Sequence, residues 1–334
     1  MKLVGQRATR LGVDGALSRS ARQCAVWQAD LHHFLRRTPI RWRSAVNTQS
    51  DLDRINRVAW NSRDAARVFA AGKTFSDAGE EAAFQWLAPR CAATPLLDIG
   101  IGTGRTVALM LAISNDYTGI DYTPKLLDIS RSRYPGRDLR HMDARDMSEL
   151  PSNHYGLAAF SWNGIDCVDY DGRVKILEEM NRVVRPGGYV LFSSHNRGGP
   201  GYRENIWQLL PQFTSNPLKF GWRTLRSLRR FQLGTLNYVR NVKLNRDYGG
   251  YSVKTAAAHN FGIVIVYTTL REQRRQLAQV GLQCDAVFAS CDGRRIPDDV
   301  EDSDAWWFHF IAHKPPGAYR FDQESGHARR RTSA

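Results

Sequence analysis

From Asp77 onward the chain alternates short apolar runs with stretches whose apolar positions recur every three or four residues. Leu96-Leu97-Asp98-Ile99, Tyr117 to Asp121, a segment ending over His141 to Ala144, Leu157 to Ser161 and Tyr189 to Ser194 each read as a strand. Between them lie helical patterns. Asp77-Ala78-Gly79-Glu80 is a capping box ahead of Ala83, Phe84 and Leu87, and Arg105 to Ile113 has helical character. Thr123 and Pro124 open a helix through Ser132, and Val174, Leu177, Met180 and Val184 mark another that stops at Arg185-Pro186-Gly187-Gly188. The rhythm breaks over 197–266. It resumes with Thr269 as the cap of a helix through Val280, followed by strands over Cys284 to Ala289 and Trp306 to Ala312. Strands alternating with helices of this length predict an α/β fold built on a parallel sheet covered on both faces.

Within the break, Leu218, Phe220, Trp222, Leu225, Leu228 and Phe231 recur at helical spacing among five Arg and Lys side chains. Such a stripe packs on a core or lies on a membrane surface. The expectation here is a helical cap whose stripe packs inward.

Composition changes the picture little. The 334 residues are 42% hydrophobic and 24% charged, which excludes a disordered or low-complexity chain. No apolar run approaches the roughly 20 residues of a membrane-spanning helix. Five scattered cysteines offer no zinc spacing and no disulfide scaffold, so no metal and a cytoplasmic setting are expected. Charge is more informative. Residues 1–50 carry nine Lys/Arg against two Asp, a net of +7, and 216–246 carry eight basic residues and no acid. The remaining body is mildly acidic. Basic segments steer toward phosphate, nucleic acid or anionic lipid without supplying chemistry. The arm over 1–50 is expected to stay outside the fold.

The chemistry concentrates at strand ends, where open α/β sheets hold ligands. The first strand runs into Gly100-Ile101-Gly102-Thr103-Gly104. This departs from a dinucleotide fingerprint, because the third glycine comes one residue early and Arg105 takes the next place. Taken alone, it is either a ligand site or a tight turn. Asp98 heads the loop, Asp121 ends the second strand 23 residues on, and Asp143 follows 22 residues later. A pyrophosphate would avoid an acid at Asp98, whereas a cation would not. Asp121 is placed to accept two ribose hydroxyls and Asp143 an adenine amine. Three carboxylates along one edge suit an adenosyl group bearing a sulfonium.

With these residues in order, the sequence resembles the class I S-adenosylmethionine-dependent methyltransferases from about Asp77 to Lys314. Gly119-Ile120-Asp121-Tyr122, His141 to Arg145, Phe160 to Gly164 and the Arg185 to Gly188 turn add to the match. The resemblance implies a seven-stranded, doubly wound Rossmann-like sheet whose last strand runs antiparallel. It also implies the cofactor S-adenosylmethionine. The implied organisation is a cofactor-binding core over 51–196, a helical cap or lid over 197–266 inserted after the fifth strand, core completion over 267–314 and a basic tail over 315–334. Gly100, Gly102 and Gly104 would cradle the methionine part, Asp121 the ribose and Tyr122 the adenosine. Asp143 and Ala144 would meet the adenine, and Ser161 and Asn163 would line the opening toward the acceptor.

The family's signature for methylating amino groups of nucleic-acid bases is absent, since its place reads Asn163-Gly164-Ile165-Asp166. The expected acceptor is therefore a hydroxyl, less so an amine, of a small molecule or glycan. RNA, addressed through the basic arm and insertion, and a non-catalytic cofactor-binding scaffold are the alternatives. A hydroxyl acceptor calls for a base. His195, after the fifth strand, and His259, in the insertion, are the candidates, with Asp166, Tyr122 and Tyr267 behind them.

Overall fold

A computed structural model describes residues 48–62, 76–210 and 214–317. Its centre is a seven-stranded sheet in the order β3-β2-β1-β4-β5-β10-β9. The strands are β1 Leu96–Ile99, β2 Tyr117–Asp121, β3 Asp138–His141, β4 Tyr155–Phe160, β5 Val184–His195, β9 Gln283–Ala289 and β10 Trp307–His313. β1 pairs in parallel with β2 and β4, while β10 runs antiparallel between β5 and β9. The first, second and fourth strands are buried at every position, as strands covered on both faces must be. Alternate residues feed opposite layers. Leu97 and Ile99 join Ile176, Leu177 and Phe310 on one side, and Leu96 joins Phe84, Leu87 and Met110 on the other.

The helices fall largely where the periodicity puts them. They are α1 Thr48–Trp60, α2 Ala78–Cys91, α3 Val107–Leu111, α4 Pro124–Arg133 and α5 Tyr170–Val183, then α6 Pro217–Asn241 and α7 Leu270–Gln279. Asp77 caps α2 by accepting from the Glu80 N–H, and Thr269 caps α7 by accepting from Glu272. Thr123 occupies the cap position of α4 without a side-chain bond; its own N–H donates to Asp121 at 2.6 Å. β5 begins earlier than expected, at Val184, because Val184 pairs with Tyr155 before the Gly187-Gly188 turn rather than after it.

Two expectations need correction. The insertion is not only helical: β6 Arg246–Asp247, β7 Tyr251–Ala256 and β8 Ile263–Thr268 form a separate antiparallel sheet. Nor does the apolar stripe of α6 pack inward. Leu218, Trp222, Leu225 and Leu228 are exposed, and the contacts come from the opposite side, where Phe231 and Tyr238 meet Leu209 and Phe261. A Cβ at Gly234 would collide with Leu209, so glycine there lets the helix approach.

α1 sits on this second sheet. Leu52 is buried against Leu244 and Val264. Asn56 donates to the carbonyls of Cys167 (2.8 Å) and Val264 (2.6 Å), and accepts from the Val264 N–H. Structure thus begins by Thr48, and the rest of the predicted arm, over 1–47, lies outside the described residues, as does the tail from 318.

Candidate active site

A cavity opens at the carboxyl ends of β1, β2 and β4, lined by Gly100 to Thr103, Asp121, Tyr122 and Phe160 to Trp162, with Trp60 of α1 on its wall. Sequence alone dictates the turn. Gly100, Gly102 and Gly104 all have positive φ, the region that favours glycine. A Cβ at Gly100 would collide with the Phe160 ring, whereas one at Gly102 would meet nothing within 4 Å. The first glycine therefore serves packing and the second leaves open space at the cavity wall. Gly104 faces Tyr134 and Ser130 instead of the cavity.

Asp121 is buried on the wall. Its two oxygens accept the N–H groups of Gly102 (2.7 Å) and Thr123 (2.6 Å), and burial raises its carboxyl above the ordinary carboxylate range. Each oxygen keeps acceptor capacity for a diol. Tyr122 lies beside it, with the Arg57 guanidinium 4.7 Å over its ring.

The other two acids are placed differently from the expectation. Asp98 lies beneath the glycine loop and off the cavity wall. One oxygen accepts from Thr106 (2.6 Å) and Tyr117 (2.9 Å), while the other is buried without a hydrogen bond. Burial pushes this carboxyl up to about 6 from 3.8. A folded carboxyl that keeps its proton to higher pH contributes stability that is complete below about pH 4 and is lost as pH rises through about 6. Wild type should lose about 3 kcal/mol relative to Asp98→Asn over that window. Denaturant midpoints of both proteins along a pH series check this; parallel curves would mean Asp98 is already ionised.

Asp143 is half-buried and held by Arg57 and by Arg145 (2.7 Å), which keep its carboxyl well below the usual range although burial works against its charge. It and Ala144 do not line the cavity. Its oxygens are engaged by two guanidinium groups, and through Arg57 it holds α1 over Tyr122.

Ser161 reaches the wall, but in company the sequence did not reveal. Its hydroxyl donates to Glu80, whose carboxylate, with a fully buried side chain, takes a bidentate pair from Arg105 at 2.6 and 2.7 Å. Burial works against the Arg105 charge, and Glu80 more than offsets it, raising the guanidinium. Arg105 also lies 4.9 Å from the Trp162 ring. Trp162 and Asn163 are both left-handed, at φ 57°. That conformation costs about 1–3 kcal/mol for a bulky residue and is typical of functional turns. Asn163 is turned away from the cavity wall: its N–H donates to Ser193, and its side-chain oxygen is buried without a partner.

The two histidines separate clearly. His195 Nδ1 lies 2.6 Å from Asp166 Oδ2, which also accepts the His195 N–H at 2.7 Å. Asp166 is fully buried and paired with the equally buried Arg173, and Ser194 donates to it at 2.8 Å. A carboxylate oxygen accepts, so Nδ1 is the donor of this pair, and in the neutral ring Nε2 is then the acceptor. The His195 ring is about one-fifth exposed and sits 6.2 Å from Trp307, itself 5.7 Å from Trp162 at the cavity. Tyr267 flanks it at 5.4 Å. His259 is buried against Trp60 at 5.0 Å, and desolvation pulls it down to about 4. It packs behind the cavity wall, and the loop before β8 does not bring it to the site.

The buried acid that ends β2, the open space at Gly102 and the aromatic wall of Phe160 and Trp162 fit an adenosyl group with a sulfonium. Such a sheet and site define a class I methyltransferase fold. A family profile described as "Methyltransferase domain" matches residues 97–192, under a third of the chain. A "probable S-adenosylmethionine-dependent methyltransferase" of Mycolicibacterium smegmatis is 32% identical over 118 residues, covering 35% of this chain and 44% of that protein. A demethylmenaquinone methyltransferase of Lysinibacillus sphaericus is 30% identical over 115 residues, covering 32% and 47%. The chain thus spans less than half the length of these curated relatives. Among solved structures, a 1,6-didemethyltoxoflavin-N1-methyltransferase of Burkholderia thailandensis superposes with a TM-score of 0.48 at 13% identity, over 83% of this chain and 94% of that one.

Proposed function

We propose that the chain is an S-adenosylmethionine-dependent methyltransferase acting on a hydroxyl of a small molecule or glycan, with His195 as the proton acceptor. The observation that carries this reading is the Asp166–His195 pair at the carboxyl edge of β5. Its buried carboxylate orients the imidazole so that Nε2 can take a hydroxyl proton. When bound, the cofactor supplies an electrophilic methyl group. The protein's part is to hold the acceptor oxygen against it and to remove the proton. Asp121 holds the ribose hydroxyls, Tyr122 and Leu126 flank the adenosine, and Trp162 gives the cavity an aromatic wall. An RNA acceptor has less support, because the exposed side of the basic helix α6 is apolar.

Incubating the purified protein with methyl-labelled cofactor and matched phenols, sugars and amines tests the reading. Label should enter hydroxyl acceptors; label in amines alone, unaffected by substitution at His195, would overturn it. Asp121→Ala is expected to weaken S-adenosylmethionine about ten- to hundredfold through loss of charge-assisted hydrogen bonds. Calorimetry reads this directly, and unchanged affinity would remove the ribose assignment.

A further inference from the structure

The α6 helix has two faces, and among the described residues only one is packed upon. On the used face Phe231, Gly234 and Tyr238 meet Leu209 and Phe261, and Asn237 and Asn241 donate to the carbonyls of Asn260 (3.0 Å) and Phe261 (3.1 Å). On the other, Leu218, Trp222, Leu225, Leu236 and Val239 lie 4, 3, 11 and 3 residues apart, spacings that keep them on one side of a helix. Their exposures are 85%, 67%, 66%, 56% and 66%. Isolated exposed apolar residues need no explanation, but a stripe along most of a 25-residue helix does.

Charge identifies what covers it. Residues 216–246 hold eight Lys and Arg and no acid, and Lys219, Arg223 and Arg240 are exposed beside the stripe. Residues 1–50 carry a net +7 and bring no complementary charge. An apolar stripe edged by cations alone matches an anionic bilayer, whose headgroups take the basic side chains while the Leu and Trp residues enter the acyl boundary. A second copy of this chain would set like charges against each other. We infer that the exposed face of α6 is a membrane-docking surface that lays the protein on anionic lipid.

Vesicle sedimentation with the full chain tests this without involving methyl transfer, so its outcome is independent of the proposed activity. The protein should sediment with vesicles of phosphatidylglycerol and phosphatidylcholine in equal parts, and poorly with phosphatidylcholine alone. Leu218→Ser/Trp222→Ser/Leu225→Ser, at exposed positions, should abolish binding while the thermal midpoint stays unchanged. Lys219→Gln/Arg223→Gln should weaken it about fivefold per charge, or ~25-fold for the pair. Failure to bind anionic vesicles, or binding that survives the triple substitution, overturns the inference. So does a dimer, or tight RNA binding, that the same substitutions abolish in place of vesicle binding.

Discussion

His195→Gln should slow methyl transfer to a hydroxyl acceptor by about 10²–10⁴, the range that a positioned base contributes. Glutamine fills similar space and accepts a hydrogen bond but takes no proton. The loss should fall on kcat, with S-adenosylmethionine affinity unchanged, because His195 does not line the cavity that Asp121 and Tyr122 do. Single-turnover rates with labelled cofactor distinguish the two. A variant as fast as wild type would show that the acceptor sheds its proton without help, and the base assignment would go.

Arg173→Met should cost about 3–5 kcal/mol of stability, the largest structural effect expected here. Arg173 and Asp166 are both fully buried, and removing one partner strands an uncompensated charge where water cannot reach it. Arg173 also donates to Ser194 (3.1 Å) and to Gln273, so the loss spreads across α5, β5 and α7. Replacing both members, Asp166→Leu with Arg173→Met, should recover much of that stability, since apolar pairs of similar volume substitute well for buried ion pairs. Activity should stay low, because His195 then loses the carboxylate that sets its tautomer. Denaturant unfolding paired with rate measurements on both variants checks this. Recovery of rate along with stability would mean that Asp166 only balances charge.

The parts of the fold that were legible share one property: their signal is local. Strands buried on both faces are mostly apolar, so Leu96–Ile99, despite Asp98, and the run from Leu157 announce themselves. Gly100 and Asp121 are also local, because a turn conformation or a strand end dictates them. What escaped depends on distant partners. Glu80 is explained locally by the capping box, so its pairing with Arg105, 25 residues on, leaves no mark in the pattern. Asn56 bonds to Val264, 208 residues away, and α1 lies at the margin of an Arg-rich segment with little periodicity. The polar strand Tyr251–Ala256 shows no apolar run of its own, although its partner Ile263–Thr268 does. For α6 the spacing gave a helix, but periodicity alone cannot say which of two apolar faces meets the protein.

The hold of Asn56 on β8 ties the cofactor cavity to the far side of the sheet insertion. Trp60 walls the cofactor cavity and belongs to the same helix as Asn56, so lifting one strains the three hydrogen bonds of the other. The far end of β8 carries Tyr267, which flanks His195 on the acceptor side. One helix and one strand thus join the wall of the cofactor cavity to the surroundings of His195.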